Sequence, residues 1–201
     1  MTIETTSPAS EETATTARPA LRAHALAAFL WRWAMRVAIV LALLAGGGTA
    51  ALVVAKHRMA PLSLVGTEAL STTVVDRDGQ LLRAFTTPDG RWRLPLEPDD
   101  VDPRYLKILM AFEDRRFYEH SGVDPWAILR AAVQLVRHGR IISGASTLTM
   151  QTARLVAGVH ERTGGGKFRQ MVWALQLEDR LSKKDILRLY LRLAPFGGNI
   201  E

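Results

Sequence analysis

The chain has 201 residues, 48% apolar and 23% charged, which suits one folded domain with appendages. With no cysteine, disulfides and thiolate metal sites are excluded. A formal net charge of +6 favours anionic partners: nucleic acid, anionic lipid or a phosphate-bearing substrate.

Residues 1–25 are rich in Thr, Ala, Ser and Glu and poor in large apolar side chains. They cannot bury enough surface to offset ordering entropy, so a disordered cytoplasmic tail is expected. Residues 26–56 are expected to form a transmembrane anchor. Val37 to Ala55 carry no charge and, at about 1.5 Å per residue, nearly cross a hydrocarbon core. Adding Phe29–Met35 completes the span, with Arg32 and Arg36 snorkelling and Trp31 and Trp33 in an aromatic belt. A buried core helix is the alternative. A cleaved signal peptide fits poorly, because the apolar run starts far from Met1 and ends in no small-x-small site. Arg18, Arg22, Arg32 and Arg36 precede the span, while Lys56 and Arg58 follow it. The positive-inside rule predicts a single-pass plasma-membrane protein with a cytoplasmic N-terminus and an exported remainder.

Residues 57–100 read as a β-rich linker region. Thr72–Val75 and Leu81–Phe85 flank the turn Asp76-Arg77-Asp78-Gly79. A second turn at Pro88-Asp89-Gly90 leads to Trp92–Leu96, which predicts a short meander. From residue 101 the pattern is helical. Asp102-Pro103 and Asp124-Pro125 open two helices, the first passing Phe112 towards Glu113. The second carries Trp126, Leu129, Val133 and Val136 on one side and closes at Gly139. Ser146 is the expected cap of a third helix. A fourth is expected from Lys167 to Leu181, with Phe168, Met171, Val172 and Leu175 as its stripe. Ser182-x-x-Asp185 opens a fifth that must stop near Pro195. The fold class is mainly α.

Three constellations carry chemistry. In Glu113-Asp114-Arg-Arg-Phe117-Tyr-Glu-His120-Ser-Gly122, a carboxylate ends a helix. If Phe112 desolvated Glu113, its pKa would rise towards that of a useful base. Alone, such a run is more often a solvated helix end, and a lone His120 more often a structural hydrogen-bonder. Gly144-Ala-Ser146-Thr147-Leu-Thr149-Met-Gln151, with Arg154 beyond, offers backbone N–H groups and side-chain donors to phosphate oxygens, or simply an N-capped core helix. Gly164-Gly165-Gly166-Lys167-Phe-Arg169-Gln170 delivers cations from a glycine loop that alone would read as a mobile linker; it lacks Walker spacing.

Together these resemble glycosyltransferase family 51, the transglycosylase domain of class A penicillin-binding proteins. Glu113–Gly122 is similar to its EDxxFxxHxG signature and Gly144–Gln151 to GGSTxTQQ, with Ala145 and Met150 as substitutions. Leu181–Leu191 resembles the region of the fourth signature. Asp76–Leu96 and Ala194–Gly198 resemble the penicillin-binding protein 1C branch. The resemblance implies a lysozyme-like fold with a membrane-proximal jaw. It also implies polymerisation of lipid II into glycan strands, with undecaprenyl pyrophosphate released.

By the same resemblance, Glu113 is the base, supported by Asp114, Phe117 and His120. Ser146, Thr147, Gln151, Arg154, Lys167, Arg169 and Gln170 would form the donor and pyrophosphate side. A divalent cation, magnesium or manganese, is the candidate cofactor. Lipid II, lipid-linked glycan, the membrane and other cell wall synthesis proteins are the expected partners; nucleic acid is not. The sequence departs from the third signature, RKxxE, at Gly166 and Gln170, and Arg169 could supply the missing positive charge. Arg188 and Arg192 replace the glutamate and asparagine of the fourth, ExYLN. The family domain continues beyond Glu201, so residues 101–201 are expected to be an incomplete, C-terminally truncated domain. Two other readings remain: a lysozyme-like hydrolase using one glutamate as acid, and a non-catalytic membrane fragment that binds lipid carrier or a partner.

Overall fold

The computed structural model describes residues 13–67, 69–159, 163–198 and 200, with side chains from residue 28 onward. Its α-helices are α1 (Thr13–Arg58), α2 (Pro103–Glu113), α3 (Pro125–His138), α4 (Leu148–Ala157), α5 (Gly164–Glu178) and α6 (Lys183–Leu193). One hairpin, β1 (Thr73–Val75) with β2 (Leu81–Ala84), precedes α2. The protein is mainly α, as its capped, apolar-striped segments predict.

The chain divides into two units, Met1–Ala51 and Leu52–Glu201. The described residues of the first, 13–51, belong to α1. The helix begins at Thr13, inside the stretch expected as a disordered tail, because Ala20-Leu21-Arg22-Ala23 are strong helix formers. Residues 1–12 of that tail lie outside the described residues. Ala28–Arg58 contains an 18-residue window of mean hydropathy 2.4, none of it buried, and is long and apolar enough to cross a membrane.

The second unit opens on the last turns of α1. Gln176 of α5 donates from Nε2 to the carbonyls of Lys56 (3.1 Å) and Met59 (3.3 Å) and accepts the Leu62 N–H at 3.2 Å. The hairpin turn is held by Asp76 Oδ1, which accepts from the N–H groups of Asp78 and Gln80 at 2.9 and 2.8 Å. The expected third strand does not form. Trp92 makes an isolated bridge to Ile200, and the backbone on this return pairs Ser71 with Arg93 and Thr87 with Arg91 without forming a strand. Pro95 supplies no N–H to continue a ladder.

Caps set the helix starts. Asp102 caps α2 and Asp124 caps α3, and Gly139 closes α3 in the left-handed region. Burial opposes the charge of Asp124, but the N–H groups of Ala127 and Trp126 and the Arg116 guanidinium outweigh it and lower its pKa. Thr147, not Ser146, caps α4, because Thr147 has the extended backbone and accepts the Met150 N–H at 3.1 Å. The glycine run is the first turn of α5, capped by Thr163, rather than a loop. That helix ends at Glu178, three residues before the expected Leu181. Ser182 and Asp185 form the expected capping box of α6.

The core lies among α2, α4, α5 and α6. Leu109, Phe117, Leu148, Ile186, Leu187 and Leu191 form one cluster, and Leu62, Ala153 and Leu177 another. Of the stripe expected on α5, Val172 alone is fully buried. The apolar side of α3 is exposed, Trp126 by 65% and Val136 by 85%. Arg188 and Arg192 grip the Glu97 carboxylate from α6 at 2.5 and 2.8 Å, fastening the 3-10 turn Pro98–Asp100.

Gly122 sits where a side chain cannot. Its φ is +90°, and a Cβ would lie 2.8 Å from the Ala174 carbonyl oxygen. Gly139 has φ +65° but open space around it. Gly122→Ala should cost about 1–3 kcal/mol more than Gly139→Ala, since clash adds to backbone strain. Thermal unfolding of both variants in detergent checks this; equal losses would show that the Ala174 contact yields freely.

Candidate active site

Glu113 is the last residue of α2, and the residue after it decides where it faces. Asp114 caps the helix and turns inward, only 6% exposed. Its carboxylate accepts from His120 Nε2 at 3.0 and 2.9 Å and from the Leu148 N–H at 2.8 Å. His120 Nδ1 accepts the Gly122 N–H at 3.2 Å, so the ring is the neutral tautomer with its proton on Nε2. Thr147 Oγ1 donates to the Gly122 carbonyl at 2.5 Å. The end of α2, the loop to Gly122 and the start of α4 are thereby pinned together. Each hydrogen bond to the charged carboxylate is worth about 1.5–3 kcal/mol.

A second group backs this one. Lys183 Nζ donates to the His120 carbonyl and to Glu178, both at 2.6 Å, and stands 4.6 Å from the Phe117 ring centre. Thr149 Oγ1 donates to the same Glu178 oxygen at 2.7 Å. Phe117 is thus core, 1% exposed, and lines neither of the two cavities that Glu113 borders.

With Asp114 turned in, Glu113 stays exposed at the junction of two cavities. The first, about 320 Å³, is lined by Phe112, Glu113, Gly144, Ser146, Gln151, Arg154, Lys167 and Gln170. The second, about 680 Å³, shares Phe112, Glu113, Gly144 and Ser146 and extends past Asp114 and Thr147 to Trp126 and Arg130. In the first, Gln151 Nε2 donates to Glu113 Oε2 at 2.7 Å. Lys167 Nζ donates to Ser146 Oγ and, at 3.1 Å, to Gln170 Oε1. Burial, then the neighbouring Arg154 charge, pushes the Lys167 pKa below the ordinary lysine value.

Six of the residues picked from the sequence therefore share one cavity: Glu113, Ser146, Gln151, Arg154, Lys167 and Gln170. Asp114 and Thr147 line the second cavity, and His120 stands behind it. Arg169 lines neither, because two residues along a helix is about 200° of rotation from Lys167. Phe112 is 85% exposed and does not bury Glu113, contrary to the desolvation expected from the sequence. Two N–H groups of the α4 start are used within the protein: Asp114 takes that of Leu148 and Thr147 that of Met150. Two residues were missed. Burial, then the Glu113 charge, raises the pKa of Tyr105 and of Tyr190. Tyr190 stands in the fourth-signature region, but nothing in local spacing pointed it at Glu113.

The expected divalent cation is not matched by this donor set. The first cavity holds one carboxylate beside two cations, and among the described residues no group of three His, Cys, Asp or Glu could hold a metal.

An exposed carboxylate beside paired cations, on a mainly α scaffold, suits group transfer with an anionic leaving group. The Transglycosylase family model matches residues 78–201, and the chain belongs to that family. It is 54% identical over 128 residues to penicillin-binding protein 1C of Escherichia coli (strain K12), covering 64% of this chain and 16% of the relative. It is 39% identical over 124 residues to penicillin-binding protein 1A of the same organism, covering 62% and 14%. Penicillin-binding protein 4 of Bacillus subtilis (strain 168) matches at 33% over 125 residues, covering 62% and 20%. The chain thus spans a fifth or less of the length of these relatives.

A bound anion favours protonated Lys167, so anion affinity should be highest below the folded-state pKa and fall as pH rises through it. Because that pKa is lowered, the fall should begin below the ordinary lysine range. Calorimetric titration of inorganic pyrophosphate from about pH 8 to 11 should show wild type losing affinity faster than Lys167→Arg, whose guanidinium stays charged. Parallel profiles would remove Lys167 from the anion site.

Proposed function

We propose that this chain carries the glycosyl-transferring site of a peptidoglycan synthase that polymerises lipid II into glycan strands and releases undecaprenyl pyrophosphate. The observation that carries this reading is Glu113 facing Arg154 and Lys167 in one cavity. Glu113 takes the proton of the acceptor 4-hydroxyl, with Gln151 holding one carboxylate oxygen so that the other can accept. The hydroxyl oxygen bonds to the anomeric carbon from the face opposite the leaving group, and the configuration inverts. As the carbon–oxygen bond to pyrophosphate breaks, its electron pair leaves on the pyrophosphate, where Arg154 and Lys167 offset the growing charge.

The substrate's lipid tail requires a membrane-bound enzyme, and Ala28–Arg58 supplies a helix able to anchor it. The cytoplasmic N-terminus and exported catalytic part follow from the arginines before Val37. The exposed apolar side of α3, flanked by Arg130 and Arg137, suits a lipid surface beside the second cavity. Other cell wall synthesis proteins are proposed partners on the resemblance alone.

Glu113→Gln keeps the side chain's shape and one acceptor oxygen but cannot take a proton. Glycan formation from labelled lipid II by the membrane-embedded protein should fall about 10²–10⁴-fold, the usual worth of a general base. Equal rates would remove Glu113 from the mechanism. Wild type that cleaves soluble glycan without polymerising would favour the hydrolase reading, and one that does neither the binding-only reading.

A further inference from the structure

We infer that the first cavity takes the pyrophosphate group as a metal-free polyanion, with Arg154 and Lys167 standing in for a divalent cation, and that the Gln170 amide sets this choice. This rests on the anion-site reading above.

Magnesium and manganese favour oxygen ligands, usually one or two carboxylates besides the phosphate oxygens. The cavity offers one carboxylate, Glu113, and Gln151 already donates to one of its oxygens. The neighbouring acids are committed. Asp114 serves His120 and Leu148, and Glu178 serves Lys183 and Thr149. A metal ion here would also face the charges of Arg154 and Lys167, and like charges repel strongly where water is partly excluded.

Gln170 is the residue that keeps those charges available. It is 5% exposed, and its Oε1 accepts from Lys167 Nζ at 3.1 Å. An amide oxygen holds the ammonium in position without cancelling its charge. Ser146 Oγ, the second acceptor, is also neutral. A carboxylate at position 170 would neutralise Lys167 and, with Glu113, make a paired acidic site that draws a cation. With glutamine, Lys167 has two neutral partners and one N–H to spare, in a place where burial disfavours its charge. An arriving polyanion relieves that cost; an arriving metal ion would increase it.

The test is calorimetric titration of inorganic pyrophosphate into the protein in detergent micelles, in EDTA and in saturating magnesium or manganese, for wild type and Gln170→Glu. Wild type should bind in EDTA and bind more weakly with metal, which holds the pyrophosphate in solution. Gln170→Glu should lose about tenfold or more in EDTA and recover when metal is added. Wild-type binding that requires metal, or is strengthened by it, overturns the inference while leaving the anion site intact. A Gln170→Glu variant with the wild-type metal response removes Gln170 as the determinant. Absence of binding under every condition overturns the anion-site reading itself, and the inference with it. The wild-type arm decides the metal question even if the variant does not fold.

Discussion

A carboxylate as buried as Asp114 must be hydrogen-bonded, and it meets that need by accepting from groups in two other segments. His120 comes from the loop after α2, and the Leu148 N–H from the first turn of α4. Where those partners sit is therefore where α2 must end. Glu113, one residue earlier, has no such partners and stays exposed over the cavity, where Gln151 of α4 reaches it. Two adjacent acids thus do opposite things: one is spent on geometry and the other is left open to the cavity.

The same constraint decides how an anion can be held. A helix start is a natural anion site, but two of the leading N–H groups of α4, those of Leu148 and Met150, serve Asp114 and Thr147. What remains is built from side chains on two helices: Gln151 and Arg154 on α4, and Lys167 and Gln170 on α5. These helices pack through fully buried residues, among them Ala153 on α4 and Leu177 on α5. The spacing between Arg154 and Lys167 is accordingly fixed by the core. Such preorganisation lets a site favour charge that develops during a reaction.

Much of this was legible in the sequence, for definable reasons. Asp102-Pro103, Asp124-Pro125 and Ser182-x-x-Asp185 are local capping signals, and each marks a helix start in the structure. The cavity residues were found because their types and order match signatures. What failed depends on long-range packing. Spacing showed that α3 has an apolar side but not that no helix would cover it. It could not show that Phe112 turns to solvent, that Arg169 lies on the wrong side of α5, or that the Glu113 charge acts on Tyr105 and Tyr190. The glycine run read as a loop because three glycines disfavour a helix, yet the Thr163 cap and the packing of Gly166 hold it as one.

The central claim is that the Asp114 clamp places the base and the anion site together although Asp114 itself reaches no leaving group. Asp114→Asn tests it most directly. With its oxygen where Oδ2 stands, the amide can still accept from both the Leu148 N–H and His120 Nε2, but the bonds lose the carboxylate charge and an NH₂ donor replaces the Oδ1 acceptor 3.0 Å from Nε2. Pyrophosphate affinity of the variant, measured by calorimetry with helicity followed in parallel, should fall about tenfold or more, or about 1.4 kcal/mol, while the helices persist. Wild-type affinity in the folded variant would contradict the account.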